Sequence, residues 1–278
     1  MTSLQYREAA AYAASLRASI IQMNCHAGSG HPGGALSCAD IIAWLFYKEM
    51  DFSPENASSP LRDRFVLSKG HACMALYAAL AEEGFFSKEA FRTLRHAGGM
   101  LQGHPDRKKT PGVEFNSGSL GQGISFAAGC ALAAKRLGRP SRVYVLLGDG
   151  EMDEGQVWEC LMFAAHYRLD NLVIIIDYNK LQSDDYCTAI TALEPLPAKL
   201  EAFGCFVQEI DGHDFRAIEL SLQRARAYKG KPAGIIAHTV KGKGVSFMEN
   251  QPKWHGSLAP TGKERQKALS ECGITEVV

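Results

Sequence analysis

Short, strongly apolar runs alternate along the chain with segments that repeat apolar residues at helical spacing. The runs show no period-two alternation, which is typical of parallel strands covered on both faces. Such runs lie at 64–67, 142–147, 172–176, 205–210 and 234–238. The pattern predicts an α/β fold with a doubly wound, mainly parallel sheet and helices on both faces.

Helical patterns fill most of the remaining chain. They are predicted at about 3–25, 37–46, 72–80, 124–137, 154–167, 197–203 and 214–228. Two glycine-rich stretches, 26–34 and 97–123, lack such a pattern. The second is too long for a routine connection, so we expect it to be functional. No repeat divides the chain, and residues 1–278 are expected to form one domain.

Composition excludes several classes of protein. The chain has 278 residues, 46% hydrophobic and 22% charged, with 30 basic and 30 acidic side chains. Zero net charge argues against a nucleic-acid partner. The most apolar stretch, 172–176, is far shorter than the roughly 18 residues of a membrane span, so no membrane partner is expected. Eight cysteines without a C-x-x-C pair, and no signal-peptide pattern, indicate the cytoplasm.

Polar residues follow three of the predicted strands. Gly148-Asp149-Gly150 and Asn179 come directly after two apolar runs, and Lys69-Gly70-His71 follows a third. The carboxyl ends of parallel strands meet at one edge of the sheet, so these segments should converge. Carboxylate and amide oxygens suit Mg²⁺ or Ca²⁺, and the helix beginning near Glu154 favours an anion at the same place. The sequence therefore predicts a site for a metal and a diphosphate.

Four of the nine histidines lie in loops flanked by glycine or proline, namely His31, His71, His104 and His255. Polar donors on tight loops are suited to a polyhydroxylated substrate and to an alkoxide that develops during reaction. The other five histidines lack such a setting and are interpreted as structural. The four together predict a substrate-binding role.

These segments, taken in order, resemble the N-terminal region of transketolase. The family's thiamine diphosphate motif is Gly-Asp-Gly, a spacer and Asn, present here as GDGEMDEG…DYNK. Further matches are SGHPGG (29–34), DRFVLSKGHA (63–72), GHPD (103–106), SGSLGQGIS (117–125) and KGKGVSFMENQPKWHG (241–256). The resemblance spans nearly the whole chain, whose length is similar to that of the N-terminal subunit of split transketolases.

The resemblance implies a thiamine diphosphate-binding fold that holds the diphosphate end of the cofactor with Mg²⁺. By that resemblance, Asp149 and Asn179 are metal ligands and the backbone carbonyl of Leu181 is the third. Gly150 lies against the diphosphate. The cofactors implied are thiamine diphosphate and Mg²⁺, or another divalent cation such as Ca²⁺.

The resemblance also assigns residues to the rest of the cofactor. Gly118 and Leu120 correspond to backbone contacts with the aminopyrimidine, and Glu154 to the acid that links two cofactor sites across a dimer interface. One segment departs from the family. Gln182 is followed by Ser183-Asp184-Asp185, where members commonly have an aliphatic residue and Asp-Gly. This departure leaves the identity of the donor sugar open.

The histidines acquire roles from the same resemblance. His31 and His104 correspond to residues that hydrogen-bond the hydroxyl and carbonyl oxygens of the donor sugar. His71 and His255 correspond to residues beside the diphosphate and the substrate channel. The implied activity, in carbohydrate metabolism, is transfer of a two-carbon ketol unit from a ketose or ketose phosphate to an aldose.

Two other functions stay open at this point. The first is a split 1-deoxyxylulose-phosphate-synthase-like enzyme or another thiamine diphosphate-dependent lyase or decarboxylase, although four loop histidines favour sugar ketol transfer. The second is a partner-binding module without activity, against which the intact pair Asp149 and Asn179 argues.

A partner subunit is expected from the same family comparison. Thiamine chemistry requires a carboxylate facing the pyrimidine ring, and in transketolases that glutamate lies in a second α/β domain across a subunit interface. The present sequence has no second βαβ series after Trp254-His255-Gly256. We therefore expect a complex with a C-terminal transketolase subunit, two copies of each chain, and no activity from this chain alone.

Overall fold

A five-stranded parallel sheet forms the centre of the fold, which a computed structural model describes for residues 3–274. In chain order the strands are β1 (Arg64–Leu67), β2 (Val143–Gly148), β3 (Leu172–Tyr178), β4 (Leu181–Gln182), β5 (Asp185–Tyr186), β6 (Phe206–Asp211) and β7 (Ala233–His238). The sheet has the order β1-β2-β3-β7-β6, and every pair is parallel. Strands β4 and β5 form a separate antiparallel hairpin. The five predicted strands are confirmed.

Ten α-helices surround the sheet within the described part of the chain. They are α1 (Ser3–Ala27), α2 (Pro32–Ser37), α3 (Ala39–Trp44), α4 (Cys73–Glu82), α5 (Gln122–Arg136), α6 (Gly155–His166), α7 (Cys187–Ile190), α8 (Leu196–Ala202), α9 (Phe215–Ala227) and α10 (Gly262–Glu271). Among these residues no helix has the length and apolar character needed to cross a membrane. The hairpin, α7 and α10 were not predicted.

Alternate residues of the strands supply two apolar cores, one on each face of the sheet. Tyr144 and Leu146 of β2 join the core formed with α1, α3, α4 and α9. Val145 and Leu147 join the core formed with α5, α6 and α8. Because both faces are covered, every residue of β2 and β3 is buried and the strands contain no polar alternation. The doubly wound architecture is confirmed.

The glycine-rich loop predicted at 26–34 is partly wrong, because α2 begins at Pro32. Proline is favoured in the first turn of a helix, where its fixed φ is suitable and its missing N–H is not needed. Gly33 lies inside this helix, and a β-carbon there would stand 2.7 Å from the carbonyl oxygen of Trp254. This glycine therefore permits a close approach between two segments.

The long stretch at 97–123 is irregular up to residue 121 and is fixed by hydrogen bonds rather than by regular elements. The hydroxyl of Tyr77 donates to the carbonyl of Gln102 at 2.9 Å, and the hydroxyl of Thr110 donates to the carbonyl of Met100 at 2.8 Å. The first bond holds the stretch against α4, and the second closes the stretch on itself. It carries His104 to the carboxyl edge of the sheet, as the next subsection describes.

Candidate active site

A cavity lies at the carboxyl edge of the sheet, where β1, β2, β3 and β7 end. Its walls include seven of the predicted site residues, which are His71, Leu120, Asp149, Gly150, Asn179, Leu181 and His255. They also include Gly34, Lys69, Gly148, Glu151, Gln182, Ser183 and Lys241. The prediction that separate strand ends converge on one place is confirmed.

The turn after β3 lies against the turn after β2, and hydrogen bonds join the two. The carboxylate of buried Asp149 accepts from the backbone N–H of Gly150 at 2.8 Å and of Lys180 at 2.5 Å. Lys180 has φ +67°, a left-handed conformation that reverses the chain. The backbone N–H of Leu181 then donates to the side-chain oxygen of Asn179 at 3.1 Å. The two predicted metal-binding side chains are therefore fixed by one loop.

The electrostatics of these groups suit a divalent cation. Burial raises the pKa of Asp149 to about 6, and the negative charge of Asp177 adds to the shift. The carbonyl of Leu181 accepts a hydrogen bond from the ammonium of Lys241 at 2.9 Å, so a metal ion bound to this oxygen would have to share it with that ammonium or displace it. A carboxylate, an amide oxygen and a carbonyl form a hard oxygen set that fits Mg²⁺. The donor chemistry of Asp149, Asn179 and Leu181 therefore matches the predicted ion, and their role as its ligands stays a prediction.

A buried ion pair supports the floor of the cavity. The ammonium of Lys69 pairs with the carboxylate of Asp177, which also accepts hydrogen bonds from the hydroxyls of Ser37 and Thr239. The amide of Asn179 donates to the same carboxylate at 3.3 Å. Burial acts to raise the pKa of Asp177, but the charge of Lys69 and the hydrogen bonds from Lys69, Ser37 and Thr239 together outweigh burial, and the pKa is lowered. The pair therefore orients one candidate metal ligand.

The sequence placed Lys69 at the predicted site as part of Lys69-Gly70-His71, but neither Lys69 nor Asp177 was assigned a functional role. Lys69 and Asp177 both stand at predicted strand ends, which is the only signal in the sequence that would have selected them.

Glu151 is a second buried carboxylate that the sequence patterns did not single out. Its carboxylate accepts from the hydroxyl of Ser68 and from the backbone N–H groups of Gly121 and Gly148, the last two at 2.8 and 3.1 Å. It joins the end of the long irregular stretch to the Gly-Asp-Gly turn. We interpret Glu151 as a residue that fixes the shape of the cavity wall.

The four histidines selected from the sequence meet in one cluster, although His71 lies in a short 3₁₀ helix, Gly70–Ala72, and not in a loop. The ring centroid of His31 lies 5.5 Å from that of His71, 6.1 Å from that of His104 and 5.7 Å from that of His255. The rings of His71 and His255 are 5.2 Å apart. A β-carbon on Gly256 would stand 2.5 Å from the ring of His31, so the tryptophan-histidine-glycine segment requires glycine there.

All four rings are held in the neutral form. Burial lowers the pKa of His31 to about 4 and that of His255 to about 3. It also lowers the pKa of His71 and of His104. The positive charges of nearby side chains lower these pKa values further; the side chains are Arg95, Lys69 and Lys241. At neutral pH the cluster therefore presents hydrogen-bond donors and acceptors without positive charge.

Two further predicted residues, Gly118 and Glu154, are not among the residues that line the cavity. Gly118 stands beside His104, since a β-carbon on this glycine would be 3.5 Å from the ring. Glu154 is exposed at the N-terminus of α6 and is not among the residues that line the cavity. Its role at an interface stays a prediction.

The segment that departs from the family motif forms part of the cavity wall. Gln182 and Ser183 both line the cavity, and Ser183 has φ +47° in the turn between β4 and β5. The amide of Gln182 donates to Asp153 at 2.9 Å, while its buried carbonyl oxygen has no partner among residues 3–274. A polar side chain thus faces the site where an aliphatic one is common.

Comparison with known proteins gives one consistent result. Residues 8–273 match the family model described as transketolase, thiamine diphosphate binding domain. The chain is 48% identical over 250 residues to the 6-deoxy-6-sulfo-D-fructose transketolase subunit SqwG of Clostridium sp. (strain MSTE9), covering 90% of this chain and 89% of the relative. It is 41% identical to an apulose-4-phosphate transketolase subunit of Actinobacillus succinogenes, covering 97% of each.

Solved structures agree with these matches. The crystal structure of transketolase from Campylobacter jejuni superposes with a TM-score of 0.88 at 34% identity, covering 98% of this chain and 43% of that one. The chain therefore spans nearly the full length of the subunit relatives and about two fifths of that solved transketolase chain.

Proposed function

This chain belongs to the transketolase family, and we propose that it is the thiamine diphosphate-binding subunit of an enzyme that transfers a two-carbon ketol unit from a ketose to an aldose. The observation that carries the proposal is that a hard oxygen set shares one cavity with two neutral histidines, His71 and His255. The rings of His31 and His104 complete the histidine cluster beside that cavity. The relatives named above are transketolases, which favours this activity over a synthase or lyase of 1-deoxyxylulose-phosphate type.

The oxygen set supports binding of the cofactor as its Mg²⁺ complex. Asp149, Asn179 and the carbonyl of Leu181 would hold the ion, and Gly150 would lie against the diphosphate. Bound thiamine diphosphate supplies the carbon nucleophile and the electron sink that ketol transfer requires. Burial and the negative charge of Asp177 both disfavour the charged form of Asp149. A bound Mg²⁺ would supply the positive charge that stabilises this carboxylate.

The histidines support binding of a polyhydroxylated donor. A neutral imidazole carries one donor and one acceptor nitrogen, so His31 and His104 can bond the hydroxyl and carbonyl oxygens of a ketose. His71 and His255 lie against each other and line the cavity, where they would contact the diphosphate end and the substrate channel. Donors placed at a developing alkoxide are a large source of rate enhancement in enzymes.

A second chain completes the proposed enzyme. The relatives named as subunits are matched along 89% and 97% of their length, which supports a split enzyme in which this chain pairs with a C-terminal transketolase subunit. We propose a heterotetramer with two copies of each chain, located in the cytoplasm, that acts on sugars or sugar phosphates.

The test is reconstitution. This chain is purified alone and together with the chain that resembles the missing half, and each preparation is assayed for ketol transfer with thiamine diphosphate and Mg²⁺. Turnover is expected only from the complex, and a parallel assay with pyruvate should show none. Robust ketol transfer by this chain alone would refute the split-enzyme proposal, and turnover of pyruvate would refute the substrate class.

A further inference from the structure

Arg95 lies beside the histidine cluster although no sequence motif indicated it. One guanidinium nitrogen is 3.0 Å from Nδ1 of His31, and another donates to the hydroxyl of Ser29 at 3.2 Å. The backbone of Arg95 has φ +62°, which is uncommon outside glycine, asparagine and aspartate. Its N–H donates to the carbonyl of Leu101 at 3.0 Å, so the turn is fixed in this strained form.

We propose that Arg95 is a positioning residue that fixes His31 in the tautomer with its proton on Nε2. A guanidinium has five N–H donors and no acceptor, and it stays protonated in proteins. Nδ1 of His31 must therefore accept the hydrogen bond and carry no proton. The single proton of the neutral ring is then on Nε2, which makes Nε2 a donor.

The N–H at Nε2 of His31 has no hydrogen-bond partner among residues 3–274 and is free to donate to a ligand. Within residues 3–274, Arg95 is the only group that bonds a ring nitrogen of His31. The other titratable groups that face the ring are His71, His104 and His255, with the ammonium of Lys241 further along the cavity. All of them are neutral rings or cations, so none stabilises a proton on Nδ1.

The same contact explains how His31 can donate without becoming charged. Protonation of Nδ1 would place an N–H against the N–H of the guanidinium and would bring two positive charges together. Burial, followed by the charge of Arg95, lowers the pKa of His31 to about 4. The consequence for turnover, a correctly aimed donor for a ketose oxygen, rests on the proposed function, whereas the tautomer does not.

The hydrogen bond from Arg95 to Ser29 fixes the guanidinium, so another side chain cannot readily take the place of Arg95. The planar guanidinium bonds Ser29 and His31 at once through two different nitrogens. A lysine would keep the charge but would offer one compact group that cannot reach both partners in the same geometry. We therefore expect Arg95→Lys to keep the tautomer in part, and Arg95→Met, which has no donor, to lose it.

The test uses the full chain labelled with ¹⁵N-histidine, because long-range ¹H–¹⁵N spectra distinguish the protonated from the unprotonated ring nitrogen. A His31→Gln variant assigns the signals. In the wild type, Nδ1 of His31 should be unprotonated and Nε2 protonated between about pH 5 and 8. In Arg95→Met, the ring should populate both tautomers, and its titration midpoint should move upward toward the ordinary value of about 6.5.

The wild-type spectrum decides the proposal even if a variant folds poorly. A proton on Nδ1 of His31 in the wild type overturns the proposal, as does an Arg95→Met variant with unchanged tautomer and midpoint. In the reconstituted enzyme, Arg95→Met should lower kcat by about 10–100-fold while cofactor affinity holds, by analogy with the loss that follows removal of a partner that orients a metal-bound histidine. If ketol transfer is absent but the spectra behave as expected, the proposed function fails and the positioning role stands.

Discussion

The buried pair Lys69 and Asp177 allows a quantitative prediction. Lys69 is 1% exposed and Asp177 is fully buried, so both charges of the pair are removed from bulk water. Asp177→Asn leaves the ammonium without its counter-charge. It also replaces one of the two oxygens that accept from Ser37 and Thr239 by an amide nitrogen, which cannot accept. Breaking one partner of a buried pair costs about 3–5 kcal/mol in free energy of unfolding. We expect Asp177→Asn and Lys69→Met each to lose that amount.

The double variant provides the internal comparison. With both charges removed, no unpaired ion stays buried, so Lys69→Met/Asp177→Asn should be more stable than the sum of the single losses predicts. Lys88→Met is the matched control. Lys88 pairs with Glu82 on the surface, where its side chain is 50% exposed, and such pairs contribute about 0–1 kcal/mol.

The assay is denaturant unfolding of the purified chain, followed by tryptophan fluorescence and circular dichroism. A loss below about 1 kcal/mol for either single variant, or losses that add within about 0.5 kcal/mol in the double variant, would contradict the reasoning.

Two further variants test the histidine cluster and the end of a helix. His104→Ala in the reconstituted enzyme should lower kcat on the order of 10²–10³-fold with cofactor still bound, because it removes the proposed donor to the reacting sugar. Loss of cofactor at an unchanged rate per bound cofactor would show that this role is wrong. Arg168→Gly should raise the free energy of unfolding by about 0.5–1 kcal/mol, because Arg168 has φ +51° where α6 ends and glycine adopts this conformation without strain. The N–H groups of Arg168 and Leu169 close the helix there by donating to the carbonyls of Ala165 and Ala164. A fall in the unfolding midpoint of that variant would contradict this interpretation.

The parts of the fold that the sequence predicted are those with a strong local pattern. Strands buried on both faces are apolar throughout, as at Leu172–Tyr178, and their ends are marked by polar or glycine residues. Because parallel strands end at one edge, Asp149 and Asn179 could be placed together without a structure. The four histidines could be selected because each stands next to glycine or proline in the sequence.

The residues that were not predicted depend on contacts between distant segments. Lys69 follows β1 and Asp177 lies in β3, with β2 between them, so their pairing requires the side chain of Lys69 to lie against Gly148. Arg95 stands in an irregular segment with a left-handed backbone that no propensity favours. Helix α10 is polar on most of its surface and has only two fully buried side chains, Ala268 and Leu269, so its apolar pattern is weak.

Titration of thiamine diphosphate into the reconstituted enzyme, with Mg²⁺ or with a chelator, tests the central claim most directly. We predict saturable binding that requires the divalent cation, because diphosphate and the carboxylate of Asp149 repel each other without it. At a cofactor concentration of 100 Kd, binding should add about 2.7 kcal/mol of stability to the wild type and much less to Asp149→Ala. Equal binding and equal stabilisation of the two proteins, or binding that ignores the cation, would contradict the assignment of the site.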